Sequence, residues 1–249
     1  MNILLNGANG RMGNEIKLAV KNQEDMLIVC GFDKEENLNG EFPVYNEIKN
    51  IKEKVDVIID FSVPTATFKI LEYAKKYNIP IVIATTGFSA EEIEEINKVS
   101  KELPVFRSSN MSLDINLMAN LVQKIAEVLS DNDIEIIETH HNKKIDSPSG
   151  TAILLADAIN EVFNNEKEYN FDRMNKREKR DKKEIGFSSI RGGNVVGEHT
   201  VQFFSDNETL EITHKSYSRQ VFAEGALKAA KFIVNQTNGL YSMKNIVND

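Results

Sequence analysis

The sequence predicts an α/β fold in two parts, a Rossmann-type doubly wound parallel sheet and a smaller α+β domain with an open mixed sheet. Three observations carry this. Short apolar runs alternate with helical patterns through roughly the first 110 residues. A glycine-rich turn joins the first of those runs to the first helix. From Ile185 onward, strand patterns follow one another with no helix between them until Arg219.

Ile3-Leu4-Leu5-Asn6 followed by Gly7-Ala8-Asn9-Gly10-Arg11-Met12-Gly13 reads as strand, turn and helix start, with Met12, Ile16, Ala19 and Val20 on one helix face. Gly7 permits the sharp turn, Gly10 lets a pyrophosphate approach the backbone, and Gly13 allows close helix packing. The spacing is G-x-x-G-x-x-G, a departure from the commonest fingerprint, and a turn that merely connects two elements would look alike. The next element favours the dinucleotide. Met26 to Phe32 is a buried strand, and Asp33 ends it twenty residues past Gly13. A carboxylate there is placed to accept from ribose hydroxyls. Lys34 beside it suits a 2′-phosphate instead, so NADH and NADPH both stay open.

Residues 34–54 are charged and irregular, with a short strand expected near Val44 and a helix after it. Val55 to Phe61 is another buried strand, and Pro64 opens a helix through Ile70, Leu71 and Ala74. Ile79 to Ala84 is a strand ending in Thr85-Thr86-Gly87, and Ser89 with Glu92 forms a capping box for the helix that follows. Leu103 to Phe106 is the next strand and leads into Ser108-Ser109-Asn110. Ligands of parallel sheets sit at the carboxyl ends of the strands. Gly7, Asp33, Phe61, residues 84–87 and residues 108–110 should therefore share one rim.

A long helix from about Ile115 to Leu129 places Leu117, Leu121, Ile125 and Val128 on one face. Asp133 to His140 then alternates polar and apolar residues, as a half-buried strand does. Ser147 followed by Pro148 is a helix-start signal, and Ile153, Leu154, Ala158, Ile159, Val162 and Phe163 recur at roughly helical spacing beyond it. The stretch between carries the chemistry. His140 and His141 fall on opposite faces of a strand tip. Lys144, on a flexible stem, can reach back to the same cavity. The amides of Ser149, Gly150 and Thr151 lie in the first helical turn, an end that binds carboxylate or phosphate. A histidine at a strand end is usually structural or solvated. Two imidazoles, an ammonium and an anion cradle within residues 138–152 point instead to proton transfer on an anionic substrate.

Residues 164–184 are a mixed-charge stretch that reads as a solvated loop or surface strand. The later strands cover 185–191, 195–204 and 209–214, and the open apolar face of such a sheet commonly becomes an oligomer interface. Arg219 to Val234 is a helix with Phe222, Ala226, Ala229, Ala230 and Ile233 on one side.

With 249 residues, 41% of them apolar and 27% charged, the chain is of ordinary globular composition and can bury one large core or two small ones. A net charge of −8 argues against a nucleic-acid partner, though a local basic pocket can still hold an anion. No apolar run approaches membrane-spanning length, the start of the chain enters a strand at once, and Cys30 is the single cysteine. These traits suggest a cytoplasmic protein with no membrane association. All four histidines lie in the second half.

The run His140-His141-x-x-Lys144-x-Asp146-x-Pro148-Ser149-Gly150-Thr151-Ala152 resembles the signature of the 4-hydroxy-tetrahydrodipicolinate reductase (dihydrodipicolinate reductase) family. Residues 7–13, Asp60-Phe61, Thr85-Thr86-Gly87, Asn110 with Ser112 and Asn116, Arg191 to His199 and Leu210 to Lys215 are similar to that family's other blocks, in order, so the resemblance covers nearly the whole chain. It implies a dinucleotide-binding domain of residues 1–110 with 218–249 and a substrate-binding and oligomerisation domain of residues 111–217. It implies reduction of a small cyclic dicarboxylate by NADH or NADPH with loss of water, in lysine biosynthesis by the diaminopimelate route, no metal, and a homotetramer.

The resemblance also implies residue roles. Gly7, Ala8, Asn9, Gly10, Arg11, Met12, Asp33, Ala84, Thr85, Thr86, Ser108, Ser109, Asn110 and Met111 would hold the cofactor, with Lys34 as a candidate 2′-phosphate contact. His140 would exchange the proton and Lys144 would be a second donor, while His141, Gly150 and Thr151 would bind substrate carboxylate. Three positions depart from the family pattern: Met111 replaces a usual aromatic residue, Asp114 a usual glycine and Ala84 a common glycine. Two rival readings are a nucleotide-sensing protein without turnover and another NAD(P) reductase such as an aspartate dehydrogenase. The intact His140, His141 and Lys144 set disfavours the first, and the Ser-Gly-Thr cradle disfavours the second.

Overall fold

The computed structural model describes residues 1–248; Asp249, the last residue of the expected first domain, lies outside them. In chain order the elements are β1 (Asn2–Asn6), α1 (Arg11–Val20), β2 (Leu27–Phe32), β3 (Val44–Tyr45), β4 (Val57–Asp60), α2 (Pro64–Tyr77), β5 (Ile81–Ile83), α3 (Ala90–Val99), β6 (Pro104–Arg107) and α4 (Leu113–Val128). They continue with β7 (Asp133–His140), α5 (Gly150–Val162), β8 (Glu168–Asn170), β9 (Glu184–Arg191), β10 (Gly197–Phe204), β11 (Thr209–Ser216), α6 (Gln220–Ile233), β12 (Gly239–Tyr241) and α7 (Met243–Val247).

The chain divides into two compact units, one of Met1–Leu113 with residues from Arg219 onward, the other Asp114–Ser218. The first holds a seven-stranded sheet in the order β12-β6-β5-β4-β1-β2-β3, with every named pairing parallel. Its strands read as unbroken apolar runs because helices cover both faces. Leu5, Ile59 and Val82 face one core with α1 and α6, while Leu4, Ile58, Ile81 and Ile83 face the other with α2 and α3. The strand order reverses between β1 and β4, which marks the crevice where doubly wound sheets bind nucleotides.

Local signals set the ends of these helices. Pro64 is the first residue of α2, and Asn78 ends that helix in the left-handed region at φ 51°. At α3, Ser89 Oγ accepts from the Glu92 N–H at 3.2 Å while the Glu92 carboxylate accepts from the Ser89 N–H at 2.8 Å. The helix expected after Val44 is only a 3₁₀ turn, Ile48–Asn50, followed by an extended Ile51. Its sequence lacks a capping side chain and too few apolar residues follow to sustain a longer helix.

The second unit is a mixed five-stranded sheet in the order β11-β10-β7-β9-β8. β7 and β9 are parallel, while β10 is antiparallel to β7 and β11. α4 and α5 cover one face around Val122, Ile134, Ile136, Leu155, Ile159, Val201 and Phe203. The burial of β7 alternates strictly, so Ile134, Ile136, Glu138 and His140 share the helix-covered side.

One expectation changes here. α4 does not bury Leu117, Leu121 and Val128, which are 46%, 44% and 73% exposed. It buries Ile115, Met118, Ala119, Val122 and Ala126 instead. Both sets follow helical spacing, but the second offers small residues that let the helix approach the sheet closely. The mixed-charge stretch 164–184 is largely exposed, as a loop or surface strand should be. It contributes β8, and Arg180 pairs with Glu135 and donates to the Ile134 and Glu184 carbonyls at 2.7 Å each, while Arg173 pairs with the buried Glu184.

Candidate active site

In the first unit the site grows from the carboxyl ends of the strands. Gly7 leaves β1 with φ +81°, and a Cβ there would stand 2.4 Å from the Phe61 carbonyl oxygen, so the turn accepts only glycine. α1 follows with Gly10 as its cap in extended conformation and no side chain on the first-turn amides. Such an end presents N–H groups and the positive pole of the helix. A cavity of about 500 Å³ opens before it, lined by Gly7, Gly10, Asp33, Lys34, Ser62 and Lys69 among others. Asp33 Oδ2 accepts from the Asn9 N–H at 2.8 Å and Oδ1 from the Lys34 N–H at 2.7 Å, which ties the end of β2 to the glycine turn.

The other expected cofactor contacts distribute as follows. Ala8 is fully buried, Asn9 and Arg11 are exposed, and Met12 is half-buried. Ala84, Thr85 and Thr86 follow β5, and Ser108, Ser109 and Asn110 follow β6, on the same edge of the sheet but outside that cavity. Ser108 Oγ donates to the Asn110 carbonyl at 2.7 Å, and Asn110 Oδ1 accepts from the Ser112 N–H at 2.8 Å. Met111 is 2% exposed, with its side chain in the core.

Asp60, which the sequence reading placed only in a family block, organises this rim. It is fully buried at the end of β4 and accepts from Asn6 Nδ2 (2.8 Å), Ser62 Oγ (2.5 Å), Thr67 Oγ1 (2.6 Å) and Thr85 Oγ1 (2.9 Å). Burial raises its carboxyl above the ordinary range against the pull of those donors. A strand-end acid followed by hydroxyl residues at 62, 67 and 85 was the available signal.

In the second unit the histidine loop follows β7. His140 is 8% exposed, and its Nδ1 lies 2.5 Å from Glu138 Oε2. Glu138 also takes two hydrogen bonds from Arg191, at 2.9 and 2.7 Å, and one from the Ser149 N–H at 3.2 Å. His141 turns away, its N–H donating to the Val195 carbonyl at 2.7 Å, and its Nδ1 is buried with no partner among the described residues. The Lys144 N–H closes a turn on the His141 carbonyl at 3.1 Å, and its ammonium sits 2.8 Å from Asp146 Oδ2.

The helix start is displaced from the expected one. Ser149, not Ser147, caps α5, its Oγ accepting from the Ala152 N–H at 3.1 Å, and Pro148 precedes the cap on a cis peptide. The Ser149 amide is therefore taken by Glu138, which leaves Gly150 and Thr151 as the first residues of the helix. His199, from β10, completes the cluster. Its Nε2 is 2.9 Å from Ser149 Oγ, and its ring meets that of His140 edge to face at 5.1 Å.

Electrostatics separate these groups. Burial alone would raise Glu138, but Arg191, Ser189 and His140 outweigh it and bring the carboxyl down to about 2. Burial lowers His140, opposed by Glu138 and reinforced by Lys144 and Arg191. Burial takes His199 down to about 3, so it is neutral across the physiological range. The lysine–aspartate pair holds Asp146 below its ordinary range through the Lys144 hydrogen bond. The result is a buried imidazole, His140, beside an ammonium and a helix N-terminus, a set able to donate a proton to a bound anion.

Models of two families match the chain, "Dihydrodipicolinate reductase, N-terminus" over residues 1–111 and "Dihydrodipicolinate reductase, C-terminus" over residues 114–247. A 4-hydroxy-tetrahydrodipicolinate reductase of Caldanaerobacter subterraneus subsp. tengcongensis is 47% identical over 98% of this chain and 97% of its own length. One of Clostridium novyi is 44% identical over 98% and 97%. Among solved structures, the dipicolinate-bound dihydrodipicolinate reductase of Paenisporosarcina sp. TG-14 superposes with a TM-score of 0.81 at 26% identity, covering 99% of both chains.

Proposed function

Because the chain belongs to the dihydrodipicolinate reductase family, we propose that it reduces 4-hydroxy-tetrahydrodipicolinate to tetrahydrodipicolinate with loss of water, in the diaminopimelate route of lysine biosynthesis. The observation that carries this reading is the contact of His140 with His199 and of His199 with Ser149. It sets a titratable imidazole beside the start of a helix that can take a substrate carboxylate. A relative that binds dipicolinate, a cyclic dicarboxylate, supports the same substrate class.

The first unit is the dinucleotide-binding domain. The cramped Gly7 turn, the open first turn of α1 and the cavity beside Asp33 fit a pyrophosphate and its ribose. Residues 7–12, Asp33, residues 84–86 and residues 108–111 hold the cofactor, with Met111 and Ala8 acting through their backbone. Either NADH or NADPH serves, the ribose meeting Asp33 and a 2′-phosphate meeting Lys34. When bound, the reduced nicotinamide supplies the hydride that the substrate accepts.

The second unit binds substrate. Gly150 and Thr151 hold one carboxylate at the α5 N-terminus, and His141 adds a ring nitrogen that has no hydrogen-bond partner among the described residues. His140 donates the proton that accompanies the hydride. Lys144 is the second donor and neutralises substrate charge, exchanging Asp146 for a substrate carboxylate. The protein assembles as a homotetramer through the uncovered face of the second sheet, where Ile137 and Phe204 are half-buried and Ile190 is 51% exposed. No helix among the described residues is long and apolar enough to cross a membrane, and the single cysteine is buried, which supports a cytoplasmic placement.

The test is oxidation of NADH and of NADPH at about 340 nm, with substrate generated in situ from pyruvate and aspartate semialdehyde. Substrate-dependent oxidation should fall by about 100-fold in Lys144→Ala, with NADH affinity unchanged. A wild-type protein that binds NADH and oxidises neither cofactor would return the reading to a nucleotide-binding protein without turnover.

A further inference from the structure

Glu138 touches three parts of the substrate unit at once. It is 1% exposed and lies two residues before His140 on the same face of β7. Its Oε2 meets His140 Nδ1 at 2.5 Å and Arg191 Nη1 at 2.9 Å. Its Oε1 accepts from Arg191 Nη2 at 2.7 Å and from the Ser149 N–H at 3.2 Å. Arg191 in turn donates to the Asp146 carbonyl at 2.7 Å, inside the loop that carries Lys144. One buried carboxylate thus links the proton-exchanging strand, the start of the carboxylate-binding helix and, through its arginine, the lysine loop.

We propose that Glu138 is the positioning residue of this reaction: it fixes His140 as the Nδ1–H tautomer, so that Nε2 is the atom that exchanges the proton, and it pins the Ser149 end of α5 in the same unit. The proposal rests on the reading that His140 exchanges the proton. An ionised carboxylate can only accept, so the ring nitrogen beside it must carry hydrogen. The neutral ring is then bare at Nε2, and the cation donates from Nε2. Gly197 leaves room beside that edge, since a Cβ there would stand 3.1 Å from Nε2. Arg191 keeps Glu138 ionised, which a buried carboxylate would otherwise resist.

The charges facing His140 are Glu138 on its own strand, Arg191 on β9, Lys144 on the following loop and the neutral His199 on β10. Burial and the two cations favour the uncharged ring, and Glu138 alone favours the imidazolium. Removing the Glu138 charge must therefore lower the affinity of His140 for its proton. In Glu138→Gln, kcat should fall by about 100-fold and the high-pH limb of its profile should move at least about one unit toward acid. Glu138→Asp keeps the charge and should keep the limb, with a smaller loss of kcat. A loss caused only by loosened structure would lower kcat without moving the limb.

The tautomer can be read with no substitution. Nitrogen-15 NMR of the wild-type ring at neutral pH should show hydrogen on His140 Nδ1 and a bare Nε2. The opposite tautomer, or a Glu138→Gln profile that coincides with wild type, overturns the proposal. His140→Gln separates it from the reading beneath. If that variant turns over normally, the assignment of His140 fails. If it is inactive while Glu138→Gln behaves as wild type, only the role of Glu138 fails.

Discussion

Ser149 Oγ lies 2.9 Å from Nε2 of the buried His199 while accepting the Ala152 N–H at 3.1 Å. The hydroxyl joins the buried ring to the first turn of α5, and burial keeps that ring neutral.

A pH dependence of stability follows. Burial brings His199 to about 3 in the folded chain, while an unfolded histidine titrates near 6.5. Below about pH 6.5 the unfolded chain takes up a proton that the folded chain refuses, so stability is full above that value and declines toward pH 3. His140 and His214 are lowered in the same direction, each mainly by burial. Urea unfolding should lose about 2 kcal/mol between pH 6.5 and 5 from His199 alone. His199→Gln should flatten that slope, and an equal slope in the variant would contradict the assignment.

Asp60 gives a prediction for the other unit. Its removal in Asp60→Ala leaves Asn6, Ser62, Thr67 and Thr85 without the acceptor they share. A buried donor left without an acceptor costs about 1–3 kcal/mol, and Ser62 and Thr67 would keep only long contacts to the Val63 carbonyl at 3.3 Å. We expect a loss of more than about 3 kcal/mol in denaturant unfolding, together with weaker NADH binding at substrate-free equilibrium. Unchanged cofactor affinity in a destabilised protein would confine Asp60 to a structural role.

The observed face of α4 can be tested directly. Leu121 is 44% exposed, so Leu121→Lys should change unfolding free energy by less than about 0.5 kcal/mol in the separated chain. Met118 is 3% exposed among the buried residues of the second unit, and Met118→Ala should cost about 2–5 kcal/mol. The reverse ranking would restore the face expected from leucine spacing.

That helix shows where sequence reasoning stops. Periodicity located α4, yet two apolar sets share its spacing, and only packing against the sheet chooses the one rich in small residues. The Rossmann half was legible because strand, glycine turn and helix are local signals, but neither its strand order nor β12 could be read from them. The order β11-β10-β7-β9-β8 was not legible either, since neighbours in that sheet are set by long-range pairing. His140, Lys144 and Gly150 stand in one motif and could be read together. Arg191 lies fifty-three positions from Glu138, and nothing local joins them. The displaced cap has a similar origin: Ser147 and Ser149 both suit a helix start, and Glu138 and His199 select the second.

In the proposed reaction His140 supplies the proton for reduction of the cyclic dicarboxylate. The most direct test of that role is the turnover of His140→Gln measured beside its NADH dissociation constant. We expect a fall in kcat of about 100-fold or more, with the NADH constant unchanged because His140 and the proposed cofactor rim belong to different units. Wild-type turnover in a folded His140→Gln protein would contradict the assignment.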